Sequence, residues 1–161
     1  MTPEDVKNAA ITGYGIMVAE AHRFEKKCPS VMAALYVPTQ DGGVLAVASS
    51  IKGPQGSQLT EFYCSSQHKH GNCAEMNAFA LVERRQMDCR NSFVAAYGST
   101  RHGVRFLDPC RDEDNRWGCA SFCTQNSITA LTKRSRIEGL LTIDVGQEKR
   151  ESDDIGASVR V

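Results

Sequence analysis

The sequence predicts one three-layer α/β domain with a mixed central sheet of about five strands and helices on both faces of that sheet. The chain has 161 residues, the length of one ordinary domain, and 41% of them are hydrophobic. Segments with apolar residues at helical spacing alternate with short apolar runs bounded by glycine and proline. Their order is α-β-β-α-β-α-β-β, and helices interleaved with strands in this way cover both faces of a sheet.

The first predicted elements are a long helix and a hairpin. Thr2 is a candidate N-cap and Pro3 suits the first turn, so we expect a helix over residues 3–27, with Gly13 and Gly15 as the place where it could break. A glycine-containing turn joins the next two strands and makes them antiparallel. These strands are predicted over residues 30–37 and 44–51.

The middle of the chain predicts a second helix and a third strand. Residues 74–85 are dense in helix-forming residue types, and residues 92–97 form an apolar run of strand length. Residues 98–118 are mostly polar, and we expect them to be a long connection with one apolar stretch at 104–107.

The last part of the chain predicts a third helix and two more strands. The helix is expected over residues 119–134, with Ile128 and Leu131 on its inner face. A fourth strand is expected within 137–145 and a fifth near 155–161. About ten residues join these strands, fewer than a parallel crossover needs, so the last strand is expected to run antiparallel.

Charge and cysteine content narrow the function classes. The formal net charge is zero and the balance holds along the chain, which does not support tight, sequence-independent DNA binding. We find no signal segment and no apolar run near ~18 residues, so the domain as given is expected to be cytoplasmic and without a membrane partner. The seven cysteines are an odd number, which argues against a disulfide framework and favours metal binding in a reducing compartment.

Cysteines at the start of two predicted helices indicate a zinc site. Cys73 precedes the second helix, and Cys119 and Cys123 lie four apart at the start of the third, where they share a face. A catalytic Zn²⁺ takes three thiolate or imidazole ligands and keeps one position for water. Glu75 would then stand beside that water as a proton shuttle.

This arrangement resembles the cytidine deaminase-like superfamily over residues 30–145. Cys73-Ala74-Glu75 is similar to the His-or-Cys-x-Glu half of the superfamily signature, and the late cysteines take the place of its Pro-Cys-x-x-Cys half. The resemblance implies a cytidine deaminase-like fold, a Zn²⁺ cofactor and hydrolytic deamination with Glu75 as the catalytic residue.

The sequence departs from the signature in its second half. Pro109-Cys110 stands apart, and Cys-x-x-x-Cys follows nine residues later. Two ligand sets are therefore open. We favour Cys73, Cys119 and Cys123, because both later cysteines open a helix, which leaves Cys110 as an ordinary thiol; the alternative is Cys73 and Cys110 with one of the later pair. A closed, non-catalytic zinc module would need a fourth ligand such as Cys110.

The long first helix and the insert at 100–118 look more like the toxin-type deaminases of bacterial polymorphic systems or their fungal relatives, several of which act on cytosine in DNA. An antiparallel last strand is similar to the cytosine branches rather than the adenine branches. We therefore expect a cytosine-containing nucleic acid as substrate, with free cytidine or deoxycytidine as the alternative. An immunity protein as partner and delivery as part of a longer toxin would fit this resemblance.

Several side chains are candidate substrate contacts. A polynucleotide substrate must present an unstacked base, and aromatic side chains would serve as stacking platforms. His102 is a further candidate, and nearby arginines could meet phosphates, although acidic neighbours offset them. His68 and His70 are expected to be exposed on a polar loop. The aromatic candidates are Phe62, Tyr63, Tyr97 and Trp117.

Overall fold

The computed structural model describes residues 1–50, 73–112 and 118–132. In these residues the chain forms three helices and five strands. They are α1 (Pro3–Arg23), β1 (Val31–Val37), β2 (Val44–Ser49), α2 (Ala74–Glu83), β3 (Phe93–Thr100), β4 (Gly103–Leu107), α3 (Cys119–Gln125) and β5 (Thr129–Leu131).

The sheet is mixed and has the order β2-β1-β3-β4, with β5 also paired to β3. The β1–β2, β1–β3 and β3–β4 pairs are antiparallel, whereas β5 runs parallel to β3. One edge of β3 pairs with β1. The other edge is divided, because β4 pairs with its carboxyl-terminal half from Ala96 to Thr100 and β5 with its first three residues.

Helices cover both faces of this sheet. Ala33, Leu35 and Val37 of β1 pack on α2, whereas Ala34 and Tyr36, which alternate with them, pack on α1. The six residues from Met32 to Val37 are therefore all buried, as expected for a strand enclosed between two layers. The described residues confirm the predicted three-layer α/β architecture and its mixed sheet.

Helix α1 runs without a break through both of its glycines. Thr2 caps it with a reciprocal capping box, in which the Thr2 side chain accepts from the Asp5 backbone and the Asp5 carboxylate accepts from the Thr2 backbone. A Cβ at Gly13 would lie 2.9 Å from Val47 Cγ1, whereas one at Gly15 would meet nothing within 4 Å. Gly13 thus marks the closest approach of the helix to the sheet.

The prediction of a polar connection over 98–118 is wrong in its first part. Strand β3 continues to Thr100, and the chain returns as β4 after a two-residue turn. Gly103 adopts φ +97°, and the Thr100 hydroxyl donates to the Gly103 carbonyl at 3.0 Å. Alternating Val104 and Phe106, which we interpreted as an isolated apolar stretch, form the strand that this tight turn allows.

The third helix is shorter than the predicted 119–134. Ser127 takes φ +54°, its N–H bonds to the Thr124 carbonyl and the Ile128 N–H bonds to the Cys123 carbonyl, which is a Schellman ending. Ile128 is buried just beyond the helix, and Leu131 lies in β5 rather than on a helix face. The apolar residues at 128 and 131 have helical spacing but are not helical, because Ser127 adopts the left-handed conformation and ends the helix before them.

The strands predicted within 137–145 and near 155–161, and with them the direction of the last strand, lie outside the described residues. The last strand that the structure describes, β5, is parallel to its neighbour. No helix among the described residues combines the length and apolar character that crossing a membrane requires.

The two glycines of α1 give a test of this packing. We expect Gly15→Ala to raise the free energy of unfolding by about 0.5–1 kcal/mol, because alanine suits a helix and the added methyl group enters open space. Gly13→Ala should gain less or lose stability, because its methyl group would meet Val47 and Met32. Urea unfolding of both variants measures the difference, and equal stabilisation would contradict the close approach at Gly13.

Candidate metal centre

Three cysteine sulfurs come together where α2 and α3 begin. The Sγ atoms of Cys73, Cys110 and Cys119 all lie within 4.8 Å of one another, and those of Cys73 and Cys110 are 4.0 Å apart. Zn–S bonds of about 2.3 Å in tetrahedral geometry separate two sulfurs by about 3.8 Å. A disulfide needs about 2.05 Å, and all three cysteines are free. The donor set therefore fits a thiophilic metal ion.

The second of the two open ligand sets is the one that the structure brings together. Cys110 joins Cys73 and Cys119, whereas Cys123 is not a member of the group. Cys123 lies one turn further along α3 and packs into the core against residues that include Val94 and Ile128. Among the described residues no fourth histidine, cysteine or carboxylate joins the three thiols, so the closed four-cysteine module is not formed by them.

The sequence carried a signal for Cys110. Pro109-Cys110 matches the Pro-Cys half of the superfamily signature, and Cys119 is the next cysteine. Eight residues separate them where the signature has two, so the two halves of the motif are recognisable only once the chain has folded back.

Helix α2 positions Cys73 and Glu75. Cys73 is the N-cap residue in extended conformation, and its carbonyl accepts from the Asn77 N–H at 3.1 Å to start the helix. The Asn77 side chain is buried and donates to the Ser49 carbonyl at 2.8 Å, which ties the first turns of α2 to the end of β2. Glu75 therefore stands in the first turn, two residues beyond a thiol of the three-cysteine group.

The start of α3 positions the other two sulfurs. The Cys119 N–H donates to the Cys110 sulfur at 3.2 Å, and the Ala120 N–H donates to the Cys110 carbonyl at 3.0 Å. These N–H groups lack partners within the helix, and the Cys110 segment satisfies them. An N–H donor also stabilises negative charge on sulfur, so this contact suits a metal-bound thiolate.

Contacts within the cluster raise the pKa of both Cys73 and Cys119, although the hydrogen bond with Cys119 by itself lowers that of Cys73. The hydrogen bond with Cys110 is the main cause that raises the pKa of Cys73, and the same partner does most to raise the pKa of Cys119. A bound cation reverses this effect, because its charge stabilises the thiolate form of each ligand. The cluster thus has the electrostatic character of a site that is completed by a metal ion.

Glu75 lies in a poorly solvated position beside the cluster. Desolvation raises the pKa of its carboxyl group to about 7, and the nearby Cys110 sulfur adds to the increase. The same carboxyl group lines a narrow apolar cleft. The other lining residues are Leu35, Phe79, Val94, Phe122, Cys123 and Ile128.

The two predicted substrate contacts that the structure describes, Tyr97 and His102, do not line this cleft. Tyr97 belongs to the opposite face of the sheet, where its ring meets those of Tyr14 and Phe106 at 5.5 and 5.1 Å. His102 is exposed in the β3–β4 turn, where it accepts from Arg101 Nε at 2.9 Å. The remaining candidates, Phe62, Tyr63 and Trp117, lie outside the described residues. So do His68 and His70, which the sequence predicts to be exposed on a polar loop.

Comparison of the chain with protein-family models, curated proteins and solved structures gave no match. The described residues themselves establish a group of three cysteines with the spacing of a metal site. They also place one desolvated carboxyl group beside it.

Two matched cysteine variants test the ligand set. We expect the wild-type chain to hold one zinc ion and Cys123→Ser to retain it, whereas Cys110→Ser should lose zinc on dialysis against a chelator. Substitution of Co²⁺ gives a second measurement, because the sulfur-to-cobalt charge-transfer band scales with the number of thiolate ligands. Retention of the full band in Cys110→Ser and its loss in Cys123→Ser would restore the ligand set that contains Cys123.

Proposed function

We propose that the chain is a zinc-dependent hydrolytic deaminase that converts cytosine to uracil in a nucleic acid. The observation that supports this most directly is the position of Glu75. It follows the first cysteine of the cluster by two residues, desolvation raises the pKa of its carboxyl group, and it lines a narrow apolar cleft. The resemblance to cytidine deaminase-like proteins supplies the same pairing of a metal with a carboxylate.

The reaction consumes water and cytosine and yields uracil and ammonia. Zinc held by Cys73, Cys110 and Cys119 would supply a Lewis acid with one open position, where the pKa of water would fall to about 7. Glu75 transfers two protons in turn: the first passes from the attacking water to the ring nitrogen, and the second passes from the newly added hydroxyl group to the amino group, which leaves as ammonia. A carboxyl group can make both transfers, because it accepts a proton as the carboxylate and donates it as the acid.

The cleft that Glu75 lines is narrow and apolar. Its walls are apolar apart from Glu75, and Phe79 and Phe122 form an edge-to-face pair with ring centres 4.6 Å apart. Such walls exclude bulk water and strengthen the electrostatic interactions of the carboxylate. The cleft has room for about one water molecule, which is the size of the attacking nucleophile rather than of a pyrimidine base.

The β3–β4 hairpin carries a candidate contact for the phosphate of a polynucleotide. Phe106 packs on the α1 side of the sheet and Leu107 on the α2 side, so alternation places Arg105 on the same side as the cysteines. Arg105 is exposed and has no ion pair with any residue that the structure describes. A guanidinium group on this side is suited to the phosphate of a bound strand.

Glu75→Gln tests the proposed chemistry. We expect this variant to keep its zinc and to lose uracil formation by about 10²–10⁴-fold, because the amide cannot transfer the proton. Glu83→Gln on the same helix is the control and should remain active. Uracil and ammonia are measured with single-stranded DNA, duplex DNA and cytidine as substrates.

Each result of that assay decides between the alternatives. Product from cytidine alone would replace the nucleic-acid substrate with a free nucleoside. Zinc-loaded protein that yields no product from any substrate would favour the non-catalytic module.

Arg105→Ala tests the nucleic-acid contact. We expect a higher KM for a single-stranded oligonucleotide and unchanged turnover of cytidine, together with a salt dependence of log KM that is shallower by about 0.7, as for one lost phosphate contact. Arg90→Ala is the control, because Arg90 is exposed and already paired with Asp88. An unchanged salt dependence in Arg105→Ala would place the strand elsewhere.

A further inference from the structure

A carboxylate that is not itself a ligand joins the two ends of the segment between Cys110 and Cys119. Asp112 Oδ1 accepts from the Gly118 N–H at 2.6 Å, and its Oδ2 accepts from the Ser121 hydroxyl at 2.6 Å. Asp112 follows Cys110 by two residues, and Gly118 immediately precedes Cys119. The bridge therefore closes next to both sulfurs.

The backbone around this bridge is packed without spare room. An added Cβ at Gly118 would collide with the Cys110 carbonyl oxygen and would lie 2.5 Å from the carbonyl carbon and oxygen of Arg111. The segment that carries Cys110 thus lies directly on the N-cap residue of α3. A glycine at this position allows the approach, and the Asp112 carboxylate maintains it.

Metal ligands that are far apart in sequence must be brought together before they can bind one ion. The cost in chain entropy grows with the length of the loop between them. A carboxylate that accepts from a backbone N–H at a helix start makes a charge-assisted hydrogen bond, which is stronger than a neutral one. Asp112 makes one such bond to a backbone N–H and a second bond to a hydroxyl group, and both hold the segment in its bound form.

We propose that Asp112 is a positioning residue of the metal centre. Its carboxylate holds Cys110 and Cys119 at the separation that one ion requires, and so replaces the short spacing of a Cys-x-x-Cys motif. This inference rests on the metal site of the proposed function but not on the reaction. It assigns a role to the start of the insert that the chemistry of deamination leaves unused.

Zinc affinity measured by chelator competition tests this role without any substrate. We expect Asp112→Ala to bind zinc about 10–100-fold more weakly, the size of effect typical of residues that orient metal ligands. Ser121→Ala should give a smaller loss, because it removes the bond to the hydroxyl group and leaves the bond to the Gly118 N–H. Asp112→Asn should recover much of the affinity, because its amide oxygen still accepts from the Gly118 N–H.

Asp88→Ala is the matched control, because Asp88 is also exposed and bonds only to Arg90 among the partners seen for it. Urea unfolding of the metal-free variants separates a positioning role from a purely structural one. If Asp112 positions the ligands, the loss in zinc-binding free energy will exceed the loss in the unfolding free energy of the metal-free protein. The Co²⁺ spectrum will also change, because the geometry of the thiolate ligands changes. Wild-type zinc affinity in both Asp112→Ala and Ser121→Ala would overturn the proposal.

The deaminase proposal fails by a different observation. If zinc binding depends on Asp112 as expected but no substrate yields uracil, the positioning role stands and the deamination does not. If uracil forms and Asp112→Ala binds zinc as tightly as the wild type, the reverse conclusion holds.

Discussion

The burial of β1 on both of its faces is the constraint from which the candidate site follows. An apolar strand of this kind needs one layer on each side, and α1 and α2 supply the two layers. Once α2 is packed on β1 and β2, the buried hydrogen bond from Asn77 to Ser49 sets where its first turn lies. The packing of the core therefore fixes the positions of Cys73 and Glu75 at the start of α2.

The pairing of both β4 and β5 with one edge of β3 brings Cys110 and Cys119 close to Cys73. Strand β4 pairs with one half of this edge, and the chain then passes through Cys110 and α3 before β5 returns to the other half. Both ends of the intervening segment are thus anchored to the same strand. The hydrogen bonds from Cys119 and Ala120 to Cys110 complete the approach, since they satisfy helix N–H groups that would otherwise need water.

Two groups at the site are difficult to ionise in the absence of a cation, namely the Glu75 carboxyl group and the three thiols. Desolvation disfavours the charged form of Glu75, and close packing disfavours more than one thiolate among the three cysteines. A divalent ion held by the three cysteines would neutralise their thiolates. The low polarity that disfavours ionisation of the metal-free cluster would also strengthen the interactions of such an ion.

The sequence by itself determined the layers and half of the site. Apolar periodicity predicted α1, α2 and the β1–β2 hairpin, because those patterns report burial against a neighbouring layer. The sequence also singled out Cys73, Glu75 and Cys119, because their positions at helix starts are local features. It could not rank Cys110 above Cys123, since regular spacing favoured a pair on one helix. It also missed β4, and it extended α3 past Ser127.

The tertiary structure decided these points, and each decision has a physical reason. Gly103 adopts a positive φ, which allows the tight turn between β3 and β4 in a segment predicted to be a loop. Ser127 adopts the left-handed conformation and ends α3, so that Leu131 lies in the sheet. Cys123 was drawn into the core because its face of α3 meets Val94 and Ile128. Cys110 reached the metal cluster because backbone contacts between distant segments, which leave no periodic trace in a sequence, hold it against the first turn of α3.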